Sequence, residues 1–162
     1  MSIGIQPHLY GKVSNLPSLR TIYMSLLSIH HVAIISSDYA RSKHFYTEIL
    51  GLPIIAEAYR AERQSYKLDL AVGNGNQIEL FSFPNPPSRP SRPEACGLRH
   101  LAFAVADVEQ KKIELEQKGV FVEPVRIDEY TGKKFTFFAD PDGLPLEIYE
   151  VTDLWGSAVN IK

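Results

Sequence analysis

His31-Val32-Ala33-Ile34-Ile35 and His100-Leu101-Ala102-Phe103-Ala104 are one strand-like pattern written twice, and this repetition decides the fold. Each copy is followed, at the same spacing to within one residue, by a second apolar run carrying a glutamate. These are Gln77-Ile78-Glu79-Leu80-Phe81 and Pro145-Leu146-Glu147-Ile148-Tyr149. The correspondence extends between the anchors: Ala33 and Ala102 lie two places after each His, Asp38 and Asp107 seven places after, and Gly51 and Gly119 about twenty. Two copies of one unit, each supplying a His and a Glu, predict a single two-His, two-Glu metal site shared between them.

The first unit spans 29–83 and the second 98–151, joined by a linker over 84–97 rich in proline, Pro84-Asn85-Pro86-Pro87-Ser88-Arg89-Pro90-Ser91-Arg92-Pro93. Proline cannot donate to a ladder, so this segment should run extended and stiff. In the second unit Asp107 reads as a helix N-cap with Gln110 three residues on, and Gly119 as the stop. In the first, Ser37 or Asp38 caps a helix carrying Phe45, Tyr46, Ile49 and Leu50 at helical spacing, which ends at Gly51. Strands are predicted over Pro53–Tyr59, Ser65–Val72 and Gln77–Phe83, with Gly73-Asn74-Gly75-Asn76 as a hairpin turn. Their counterparts are Val120–Ile127, Lys134–Ala139 and Leu144–Val151, with Asp140-Pro141-Asp142-Gly143 as a turn. The order is β-α-β-β-β, twice.

Side chains alternate across a strand, so parity assigns the faces. Leu101, Phe103 and Val105 share one parity and suit packing beneath a helix, whereas His100, Ala102 and Ala104 share the other. Carried to the first unit, Val32 and Ile34 pack inward and His31, Ala33 and Ile35 face the open side. This selects His31 over its neighbour His30. Glu79 and Glu147 fall on that open side too. A lone His beside apolar residues is ordinarily a satisfied structural group, and a lone Glu on a strand is ordinarily solvated. Four at matched positions of a duplicated unit are a different matter, because a buried carboxylate without a cation or donor is expensive.

At 162 residues the chain is one domain's worth, and 44% apolar and 22% charged residues are those of a globular protein. A net charge of −2 sets up no field for nucleic acid or an anionic membrane, so neither partner is expected. No stretch approaches the roughly 18 consecutive apolar residues of a membrane span. Cys96 is the only cysteine, which excludes an intrachain disulfide and Cys-based zinc motifs and suits a reducing cytoplasm. Residues 1–28 form an N-terminal extension without acidic residues, and Met24 offers an alternative start; residues 152–162 form a tail.

The paired units, with His31, Glu79, His100 and Glu147, resemble the vicinal oxygen chelate superfamily that includes glyoxalase I. So do the segment His31–Leu52, with Phe45-Tyr46 and Ile49-Leu50-Gly51, and Asp140-Pro141-Asp142-Gly143 followed by Leu146-Glu147. More narrowly, Glu79-Leu80-Phe81-Ser82-Phe83 and Arg92–His100 resemble a bacterial glyoxalase-like subgroup. The resemblance covers 29–151. It implies an α+β fold in which paired βαβββ modules form a curved mixed-sheet cup, the glyoxalase/bleomycin-resistance/dioxygenase fold. It implies a homodimer, with sites often built from both subunits, and one divalent ion per site held by His31, Glu79, His100 and Glu147. Nickel, zinc or cobalt is expected, with manganese or iron also compatible with imidazole and carboxylate ligands. The implied activity is that of a lyase or isomerase acting on a small vicinal-oxygen substrate. There the ion would stabilise an enediolate, and Glu147 would be the catalytic base.

Three other activities belong to similar proteins. A thiol transferase of the fosfomycin-resistance type uses three protein ligands, so Glu79 at the fourth position argues against it. A ring-cleaving dioxygenase uses two His and one carboxylate, ordinarily with four modules. A non-catalytic small-molecule cup of the bleomycin-binding type lacks the ligands retained here. Arg60, Lys67, Arg99 and Lys134 lie near strands and could meet an anionic ligand, and His8, His30 and His44 read as structural or surface residues.

Overall fold

Each unit folds in the expected β-α-β-β-β order. The first comprises β1 (His31–Ser36), α1 (Tyr39–His44), β2 (Ile54–Arg60), β3 (Ser65–Val72) and β4 (Asn76–Ser82). The second comprises β5 (Leu101–Val105), α2 (Val108–Gln117), β6 (Arg126–Ile127), β7 (Lys134–Ala139) and β8 (Pro145–Glu150). The structure, a computed structural model, describes residues 26–73 and 75–152. The expectations for the extension up to residue 25, for Asn74 in the hairpin turn and for the tail from residue 153 lie outside the described residues.

The caps act as the sequence predicts. Asp38 accepts from the Arg41 backbone N–H and Asp107 from that of Gln110, each at 3.0 Å. Gly119, with φ of 82°, turns the chain out of α2 at no steric cost. The first helix differs from expectation. After His44 it widens into a π-helical segment, Phe45–Ile49, closed by the Leu50 N–H donating to the Phe45 carbonyl at 2.9 Å. Phe45 and Tyr46, which open this segment, are both buried in the core, with their rings edge-to-face and centroids 5.3 Å apart.

Both sheets have the same topology, β1-β4-β3-β2 and β5-β8-β7-β6. In each, the first strand of the unit runs parallel to the last, and the other pairings are antiparallel. Register places Ala33 opposite Glu79 and Ala102 opposite Glu147, so each glutamate has a small neighbour beside it. Several expected boundaries shift, those of β2, β4 and β8 by one residue at each end. His100 immediately precedes β5 rather than opening it. The strand foreseen over Val120–Ile127 shrinks to Arg126–Ile127. Pro124 has no N–H to give a ladder, and the Thr136 hydroxyl instead donates to the carbonyls of Glu123 and Pro124 at 2.8 and 3.3 Å.

One core serves both units. Leu68, Leu70, Ile78 and Leu80 from the first sheet join Leu115, Leu146 and Ile148 from the second, all nearly inaccessible to solvent. Burying each such side chain stabilises the fold by about 1.5–3 kcal/mol. Phe45 meets Phe138 with ring centroids 6.5 Å apart, and the buried Tyr46 hydroxyl donates to Asp140 at 3.0 Å. Asp140 also accepts the N–H groups of Asp142 and Leu144, so the Asp140–Gly143 turn is pinned from inside. Lys118 donates to the carbonyls of Glu48 and Ile49 at the end of the π-helical segment, a cation where a helix exposes its carbonyls. The core therefore lies on the helix-covered side of both sheets. Their two helix-free faces lie outside it.

Candidate metal centre

The parity assignment holds. Val32, Ile34, Ile78, Leu80, Leu146 and Ile148 are buried or half-buried, while His31, Ala33, Ile35, Ala102 and Ala104 are exposed. Glu79 and Glu147 nevertheless keep little contact with water, with side-chain exposures of 16% and 10%. Two carboxylates so placed require cationic or donor partners.

Each glutamate meets its own module's histidine. His31 Nε2 lies 3.7 Å from Glu79 Oε2, and His100 Nε2 lies 3.0 Å from Glu147 Oε2. Two ligands on one ion with bonds of about 2.1 Å are about 3 Å apart at a right angle and about 3.4 Å apart in a tetrahedron. The His100–Glu147 pair has the separation of neighbouring ligands in one coordination sphere and the His31–Glu79 pair stands a few tenths of an ångström wider, and imidazole with carboxylate is a donor set that divalent first-row ions accept. The residues fit such an ion.

The four do not assemble within one chain. Among the described residues no three His, Cys, Asp or Glu side chains are grouped to hold a metal ion. The sequence predicts a quartet, and the chain presents two His–Glu pairs on the two helix-free faces.

The surroundings of the pairs differ. Lys67 reaches Glu79 Oε1 at 3.0 Å and also pairs with Asp69, leaving Glu79 Oε2 turned toward His31. Asp69, and after it Glu79, hold the Lys67 ammonium above its ordinary pKa. His30, which reads from sequence as structural, has its Nδ1 3.0 Å from Nδ1 of His31 and so braces that ring from behind. In the second module the His100 ring stands edge-on to Phe137, and its Nδ1 is buried without a partner. Phe135 stacks on Tyr149 beside Glu147, and Tyr149 donates to Asp128 at 2.9 Å. A groove of about 590 Å³ bounded by Glu147, Tyr149, Phe135, Arg126 and Tyr130 lies there. The second half-site is thus aromatic and the first is charged.

Of the other basic candidates, Arg99 pairs with Glu94 and Lys134 with Glu109, both at the surface. Arg60 lies on the same open face as Glu79. The adjacency of His30 to His31 was the one available signal for its bracing role. For the Lys67–Glu79 contact the signal was the alternation of β3, which puts Lys67 and Asp69 on the open face.

Comparison with known proteins agrees with the fold. The family model described as Glyoxalase/Bleomycin resistance protein/Dioxygenase superfamily matches residues 28–148. The chain is 60% identical over 127 residues to the uncharacterized protein YwkD of Bacillus subtilis (strain 168), covering 78% of this chain and 99% of YwkD. It is 29% identical over 143 residues to a 2-epi-5-epi-valiolone epimerase of Actinomyces sp, covering 75% of this chain and 78% of the epimerase. Among solved structures it is similar to SMU.1112c, with a TM-score of 0.75 and 51% identity over 78% of this chain and all of that one. No helix among the described residues is long and apolar enough to cross a membrane.

Proposed function

We propose, because the chain belongs to the Glyoxalase/Bleomycin resistance protein/Dioxygenase superfamily, that it is a divalent-metal-dependent lyase or isomerase of a small vicinal-oxygen substrate. In this reading it works as a cytoplasmic homodimer. Each site takes His31 and Glu79 from one chain and the His100–Glu147 pair from the other. The observation that carries the reading is the pair of His–Glu contacts at matched positions of the two modules, 3.0 Å apart in the second and 3.7 Å in the first, each on a helix-free face. Two chains are needed to complete one coordination sphere.

A bound ion would supply the positive charge that stabilises an oxyanion developing on the substrate carbon skeleton. The protein does the rest. Glu147 stands at the aromatic wall, where its carboxylate takes the proton from the carbon bearing one of the vicinal oxygens and returns it to the adjacent carbon bearing the other. Phe135 and Phe137 shield that transfer from water, and the Tyr149 hydroxyl, held by Asp128, fixes the far side of the groove. Lys67 keeps Glu79 oriented through the oxygen that does not face His31. Epimerisation of a hydroxyketone starts from the same proton removal but returns the proton to the opposite face of the same carbon, and similarity to the Actinomyces epimerase favours it as an alternative to the lyase reaction.

The test is elemental analysis of untagged protein together with metal-dependent turnover of the methylglyoxal–glutathione adduct. Full occupancy without turnover removes the strict glyoxalase assignment and leaves the centre standing. Unchanged metal content in both Glu79→Gln and Glu147→Gln removes the centre.

A further inference from the structure

The open face of the first sheet has one charge left over. Strand register lays out its rows: His31 with Gln77, then Ala33 with Glu79, Asp69 and Ala56, then Ile35 with Phe81, Lys67 and Ala58, and finally Ser65 with Arg60. Lys67 is balanced by Asp69. On the second sheet Arg126 is balanced by Glu123 at 3.0 Å. A divalent ion would balance Glu79 and Glu147. Arg60 alone on this face makes no ion pair among the described residues.

Nor is Arg60 merely a solvated surface cation. Its guanidinium lies 4.9 Å from the Phe81 ring centroid and 5.8 Å from that of Phe83, and it donates to Ser65 Oγ at 2.8 Å. Its Nε is buried with no acceptor. Two aromatic faces and one hydroxyl hold the group in a fixed orientation with most of its donors unused. A half-buried guanidinium without a counter-charge is costly unless an anion completes it.

We propose that Arg60 is the specificity determinant of the site, selecting a substrate that carries a carboxylate or phosphate in addition to its vicinal oxygens. This rests on the metal-centre reading above and adds the charge class of the substrate. Arg60 leans over Phe81, one two-residue step along β4 from Glu79, and such a step is about 7 Å. A chain of two to four atoms between the anionic group and the chelating oxygens spans that distance. The planar fork of the guanidinium suits both carboxylate and phosphate oxygens.

Calorimetric titration of the nickel-loaded full chain tests the assignment with two chelators of vicinal oxygens. One is acetohydroxamate, with an uncharged tail, and the other is the monohydroxamate of succinate, with a carboxylate tail. The wild type is expected to bind the carboxylated compound about tenfold more tightly. Arg60→Met, which preserves the packing on Phe81 and Phe83, should abolish that preference and leave acetohydroxamate unchanged, while Arg60→Lys should restore part of it. The hydroxamate of 3-phosphonopropionate, with the same two-carbon spacer, tested alongside, separates preference for phosphate from preference for carboxylate. Equal binding of charged and uncharged compounds by the wild type overturns the Arg60 assignment and spares the centre. An equal weakening of both compounds in Arg60→Met overturns it as well, since that marks a structural role. Binding of no hydroxamate overturns the metal-centre reading and this assignment with it.

Discussion

Two inactive variants mixed together should recover an ion that neither holds alone. One variant carries His31→Ala with Glu79→Gln, and the other carries His100→Ala with Glu147→Gln. In a dimer of either, every site lacks two of its four ligands, because on this reading each site takes one His–Glu pair from each chain and no single chain groups three such ligands among the described residues. In a mixed dimer the losses segregate. One site receives both damaged halves, and the other receives the intact first half of one chain and the intact second half of its partner. Random pairing puts about half of the chains into mixed dimers, so the mixture should hold about one ion per four chains, against about one per chain in the wild type. Differently tagged variants are co-refolded, mixed dimers are verified by tandem purification, and metal is counted by elemental analysis. Verified mixed dimers without metal would refute the two-chain site. So would a wild-type monomer that holds an ion at full occupancy.

Tyr46→Phe leaves a buried Asp140 oxygen without its hydroxyl donor and should cost about 1–3 kcal/mol in urea unfolding, with metal content unchanged. Burial raises the pKa of Asp140, so the native state keeps a proton that the unfolded chain has released. Its contribution to stability therefore falls as pH rises from the ordinary carboxylate range through the raised value. Asp140→Asn should flatten that part of the melting-temperature profile. The reverse holds for Glu57, which Lys43 and then Tyr39 hold below the ordinary range. Its contribution is present above the ordinary carboxylate value and is lost as pH falls through the lowered one, so Glu57→Gln should reduce loss of stability on the acid side. Gly119→Ala meets no atom within 4 Å, so its cost, about 1 kcal/mol in thermal unfolding, comes from the positive φ alone.

The parts of this fold legible in the sequence are those governed by neighbours along the chain. Alternation in His31–Ile35 and around Glu79 and Glu147 gave the faces, and the spacing from Asp107 to Gln110 gave a cap that the structure shows in place. What escaped depends on partners distant in sequence. The π-helical widening at Phe45 answers to packing against Phe138 and to the Tyr46–Asp140 hydrogen bond, neither of which a local period contains. The loss of most of the strand before Arg126 follows from Pro124 and from a threonine hydroxyl replacing ladder bonds. For the candidate centre, parity put His31, Glu79 and Glu147 on the open faces, while His30, outside the strand, touches the His31 ring as well. Periodicity tells which face of a sheet is polar; it carries no information about which way two sheets stand across a common core.

That common core gives the chain a valence. On the proposed two-chain centre, one molecule is a connector with two different ends, and contacts of this kind either close on themselves or continue. A pair that closes satisfies both ends at once and yields two complete centres, whereas a pair that fails to close leaves an end able to recruit a third chain. Residues at the joint between the modules, such as Tyr46, Asp140 and Lys118, touch neither His–Glu pair, yet they set the angle between the two ends. A substitution there acts as a change in the geometry of closure, and its signature is a change in the size of the assembly before any change in the chemistry of the centre.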